Sequence, residues 1–227
     1  MKLNINISRV LMVLCIGGAM VSCSDLLDQE PPSYVVPSDY FKTADQVQAC
    51  ANSFYSSILP SHGGGYGLYA NDCGTDNQAA MGADGKYADN QWKTSLDNGN
   101  WSWGNVRSLN YKIKTCVTNN EKGLISGNQK DIKQYIGEMY FFRAYTYFGL
   151  LRNWGDFPIV TEVLPDNETE LVAANKRRPR NEVARFIISD LDTAMTYMAD
   201  NFESRHTRVS KDVAMLFKSR VALYEAS

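Results

Sequence analysis

The sequence predicts a mostly helical protein, built as stacked helical hairpins around one long irregular loop. Apolar residues recur at helical spacing in five segments, and start and stop signals flank those segments. Beyond Ile159-Val160-Thr161, which reads as a short extended piece, no stretch makes a convincing strand. The chain has 227 residues, 44% of them hydrophobic, which is enough for one sizeable core. With 23 basic and 25 acidic residues the formal net charge is −2, which argues against nucleic acid as a partner.

Residues 1–22 have the pattern of a secretory signal. Lys2 and Arg9 precede the apolar run Val10–Ile16, and Gly17-Gly18-Ala19-Met20-Val21-Ser22 leads into Cys23. The apolar run is too short to span a bilayer. A cysteine directly after the cut can carry acyl chains, so Cys23 is the expected lipidation site, with Met20 where Leu is more usual. Residues 23–42, with Pro31, Pro32 and Pro37, read as a lipidated, extended tether, and residues 43–227 as the helical domain. Thr43-Ala44-Asp45-Gln46 matches a capping box ahead of Val47, Ala51, Phe54 and Ile58, and Pro60 stops that helix.

Residues 61–100 are rich in Gly, Asn and Asp and carry Tyr66, Tyr69, Tyr87 and Trp92, as expected of a functional loop. Helices resume near Trp103, with Val106, Leu109, Ile113 and Val117 on one face. The longest helix covers residues 129–153, with Ile132, Ile136, Met139, Arg143, Tyr147 and Leu150 on one stripe and Tyr140, Phe141, Tyr145 and Phe148 around the rest. A helix apolar nearly all round is buried between neighbours. Trp154-Gly155-Asp156-Phe157-Pro158 breaks it, and residues 165–180 are polar and basic. Val183, Ile187, Leu191, Ala194 and Met198 align on the next helix. Ser210 caps the last, with Val213, Phe217, Val221 and Tyr224 in line. Ala144, Ala194, Ala214 and Ala222 allow close helix approach, as in tetratricopeptide-like hairpins, although no clean 34-residue repeat is present. The last helix reaches Ser227 without a stop signal, so the chain is expected to be the N-terminal part of a longer protein.

No residue pattern points to catalysis, a metal or a cofactor. His62-Gly63-Gly64-Gly65 resembles an oxyanion loop, but no G-x-S-x-G supplies a nucleophile, and a flexible glycine loop is the simpler reading. His62 and His206 lack metal-ligand spacing. Asp72, Asp76, Asp84 and Asp89 lack EF-hand spacing. Outside the signal and Cys23, the odd set Cys50, Cys73 and Cys116 cannot form a complete disulfide framework. Cys50 and Cys116 read as small core residues. Arg143, set among aromatic residues, reads as a donor to buried carbonyls or a carboxylate, and Lys176–Arg180 as a solvated basic run. Trp101 and Trp103 read as core anchors at a helix start. Trp92, deeper in the loop, is the ligand candidate together with Asn90 and Tyr87, because rings stack on the C–H faces of sugars while amides bond hydroxyls.

Four stretches in order, behind the lipidation signal, resemble the SusD/RagB family of outer-membrane nutrient-binding lipoproteins. They are Cys23–Asp28, Tyr40–Gln46 with Phe54-Tyr55, Gly137–Phe148 through Trp154–Pro158, and Arg180–Met198 followed by Thr207–Ala226. The resemblance implies a tetratricopeptide-like fold and binding of glycans or other nutrients without catalysis. It also implies docking on a SusC-like, TonB-dependent outer-membrane barrel, and a lipid-anchored, surface-exposed location for which Asp25 and Asp28 resemble an export signal. Family members are much longer, and their C-terminal half supplies much of the ligand site. Two alternatives are a lipoprotein glycoside hydrolase, which sugar turnover would reveal, and a scaffold whose hairpins bind only protein.

Overall fold

The structure is a computed structural model and describes residues 40–60, 102–200 and 207–227. The expected signal segment, Cys23, most of the tether, and the irregular loop with Tyr87, Asn90 and Trp92 lie outside the described residues, as do Cys73, Trp101, His62 and His206. One compact unit runs from Phe41 to Ser227.

The helices are α1 (Ala44–Ile58), α2 (Gly104–Glu121), α3 (Gln129–Trp154), α4 (Glu168–Ala174), α5 (Arg180–Tyr197) and α6 (Lys211–Ala226). Among the described residues no strand forms, and only two isolated bridges occur, Thr43 with Ser126 and Phe157 with Arg178. The capping box at α1 is formed: Thr43 Oγ1 accepts the Gln46 N–H at 3.3 Å, and Gln46 Oε1 accepts the Thr43 N–H at 3.2 Å. Ser210 likewise caps α6 by accepting the Val213 N–H. The short α4 falls where the sequence reads only as polar and basic. Asn167 caps it through the Thr169 N–H at 3.0 Å, and Glu168 and Glu170 face its positive end.

The other long helices pack on α3. It contacts α1, α2 and α5, while α6 packs on α5. Ile132, Ile136, Met139, Phe142, Tyr147 and Leu151 of α3 are all buried, and burial of such side chains stabilises by about 1.5–3 kcal/mol each. Phe217 of α6 closes the cluster from the other side, with ring centroids 5.2 to 5.5 Å from Phe141, Tyr145 and Phe148. α2 with α3 and α5 with α6 form hairpins of the tetratricopeptide-like kind expected.

The register of α6 differs from the expected one. Ala214, Phe217 and Val221 turn inward, so Val213, one position off, points outward, and Ala222 is exposed rather than packed. The small residue that matters most for close approach is Gly137 on α3. A Cβ there would lie 2.9 Å from the Ala194 carbonyl oxygen and 2.9 Å from Met198 Cγ. Gly137→Ala is expected to destabilise by about 1–3 kcal/mol through overpacking, in spite of alanine's helix propensity. The check is a lowered urea midpoint with an unchanged slope; a gain in stability would refute the close approach.

Gly155 ends α3 with φ 68° and ψ −109°, a conformation that suits glycine alone. It turns Asp156 and Phe157 back toward α5. The Asp156 carboxylate accepts the Arg180 N–H at 2.8 Å, and Phe157 and Arg178 exchange backbone hydrogen bonds of 3.1 and 3.0 Å. Arg180 is held further by Glu225 at 2.9 Å and lies over the Tyr224 ring, so the basic run is partly engaged rather than merely solvated.

Cys50 and Cys116 are free and buried, and Cys50 Sγ lies 3.7 Å from Met139 Sδ. Burial pushes the Cys50 thiol from its ordinary 9.0 up to about 11, and raises Cys116 in the same direction. The folded thiol therefore stays protonated where the unfolded one ionises. Its contribution to stability is complete below pH 9.0 and is lost as pH climbs toward about 11. Both thiols are expected to resist a thiol reagent at pH 8 and to react fully in denaturant; fast native labelling would contradict their burial.

A candidate ligand groove and its buried support

A groove of about 420 Å³ lies between α2, residues 159–164 and α4. Trp103, at the N-cap position of α2, forms one end, Val106 and Asn110 line the α2 wall, and Leu171 and Val172 of α4 face them. The Trp103 ring sits 5.3 Å from Phe157, so the turn after α3 fixes the orientation of the indole. Polar groups are few and stand at the rim. Arg107 donates to the Leu164 carbonyl at 2.8 Å, and Glu162 pairs with Lys114 at 2.9 Å across an exposed gap. An aromatic end, apolar walls and sparse polar rim groups suit a ligand with a C–H-rich face and peripheral hydroxyls.

Behind the groove a buried polar relay joins three helices. Arg143 donates to both carboxylate oxygens of Asp190, at 2.7 and 2.8 Å, and to Asn110 Oδ1 at 3.0 Å. Asn110 in turn donates to the Val160 carbonyl at 2.8 Å. The Tyr147 hydroxyl donates to that carbonyl at 3.1 Å and accepts the Val160 N–H at 2.9 Å. Val160 is thereby tied to α2 and α3 without a partner strand. Burial pushes the Asp190 carboxyl above its ordinary range, and the bonds and charge of Arg143 pull it back. Burial alone would lower the Arg143 guanidinium, but Asp190 raises it on balance. Burial also raises the Tyr147 phenol to about 12, so it remains a donor throughout the physiological range.

A second buried pair fastens residues 207–210 to α1 and α3. Arg208 grips Glu138 through two bonds of 2.8 and 2.6 Å and donates to Asn52 Oδ1 at 2.7 Å. Gln134 donates to Glu138 and to the Val209 carbonyl, and Tyr55 accepts the Val209 N–H at 2.7 Å. Both buried carboxylates are thus committed to arginines. Neither is placed as a general acid or base, which must be free to exchange a proton with a ligand. Among the described residues no three His, Cys, Asp or Glu side chains cluster as metal ligands would.

Arg143 has the role its surroundings suggested, as donor to a buried carboxylate. Trp103 is both an anchor and a groove wall. Trp92, Asn90, Tyr87 and Cys23 lie outside the described residues. The sequence reading missed Arg107, Glu162, Leu171 and Val172, because the groove depends on α4. The Asn167-Glu168-Thr169-Glu170 capping signal could have revealed that helix.

A SusD-like family described as starch-binding and associating with the outer membrane matches residues 25–223. The SusD-like protein P2 of Formosa agariphila is 29% identical over 214 residues, which cover 92% of this chain and 40% of the relative. The SusD-like protein P38 of the same organism is 23% identical over 225 residues, 96% of this chain and 42% of the relative. This chain therefore spans well under half the length of these curated relatives. Among solved structures, a SusD-like protein from Bacteroides fragilis aligns with a TM-score of 0.55 at 21% identity, over 87% of this chain and 38% of that one. A SusD-like carbohydrate-binding protein from the same species aligns with a TM-score of 0.54 at 15% identity, over 82% and 38%. These two likenesses concern the fold.

Proposed function

This chain belongs to the SusD-like family, and from that premise we propose that it is a non-catalytic, surface-anchored lipoprotein that captures glycans. The observation that carries this reading is the extent of the family match, which runs from just behind Cys23 into the last helix. Residues 1–22 direct export, acylated Cys23 holds the protein to the outer membrane, and residues 23–42 set its reach. Trp92 stacks on a sugar face while Asn90 and Tyr87 bond its hydroxyls, and the groove at Trp103 offers a further contact surface. Captured oligosaccharide then passes to a SusC-like, TonB-dependent barrel.

Calorimetry with maltooligosaccharides tests the binding step. Trp92→Ala is expected to weaken binding about fivefold or more, since a lost stacking platform costs on the order of 1–3 kcal/mol. Sugar turnover would overturn the non-catalytic reading, and absence of sugar binding with retained barrel association would favour a protein scaffold. Cys23→Ala is expected to move the protein from the membrane pellet to the soluble fraction. Retention in the pellet would refute the anchor.

A further inference from the structure

We draw no further inference here: the strongest candidate, the groove between α2, residues 159–164 and α4 with Leu171 and Val172 exposed along one wall, belongs to the site already described, and nothing in the structure shows what covers it.

Discussion

Replacing Arg143 by methionine is expected to cost about 3–5 kcal/mol of stability, since it strands a carboxylate in the core while leaving the apolar packing nearly unchanged. Asp190 loses both its 2.7 and 2.8 Å bonds, and Asn110 Oδ1 loses its donor. For a unit of this size the loss corresponds to a fall in Tm on the order of 10 °C. The penalty comes from the orphaned charge more than from the lost attraction, so Arg143→Met with Asp190→Leu should recover most of it, short of about 1 kcal/mol for the unpaired Asn110. The single variant also has a distinctive pH dependence. With the cation gone, burial alone acts on Asp190 and holds its folded pKa above the unfolded one. The defect is therefore smallest at acid pH, where the carboxyl is neutral in both states, and grows as pH rises through the folded value. Denaturant titrations of both variants across pH check this. A single variant within 1 kcal/mol of the parent, or a double variant worse than the single, would contradict a charge-centred role.

The helices were legible where local chemistry and burial agree. The Thr43–Gln46 box, the Ser210 cap and the all-round apolarity of residues 129–153 each encode one element, and each element forms. Legibility failed where the deciding partner is distant in sequence. Val213 and Ala214 are equally plausible inward residues by periodicity; the ring of Phe217 against Phe141, Tyr145 and Phe148 decides between them. Gly137 reads as a helix liability until the Ala194 carbonyl is placed against it. Arg143 could be read as a buried donor from its aromatic neighbours, but nothing local announces that Asp190 rather than a carbonyl receives it. The groove was harder still, because its walls come from α2, from a strandless strip held by Asn110 and Tyr147, and from a seven-residue helix with no buried residue. Such a helix leaves no periodic trace; only its cap does.

The same logic applies, with a different consequence, to Arg208→Met. Glu138 is buried in α3, and Arg208 supplies its two charged bonds. Removing the guanidinium is expected to cost about 3–5 kcal/mol, as for any buried carboxylate left without its cation. It also removes the bond to Asn52 of α1 and the stacking over Tyr135 and Tyr55, at 4.7 and 5.4 Å, so the strap from α1 through residues 207–210 to α3 slackens. Those residues lead directly into the Ser210 cap, so the first turn of α6 depends on the strap in a way that α3 and α5 do not. Arg208→Met should therefore speed amide exchange at the start of α6 well before it does so in α3, whereas Arg143→Met should loosen the α3–α5 pair. Adding Glu138→Gln to Arg208→Met should restore at least about half of the lost stability, because a neutral amide in the same place needs no counter-charge. Equal acceleration of exchange in every helix, or no rescue by Glu138→Gln, would show that Arg208 contributes through general packing instead of through the charge it neutralises.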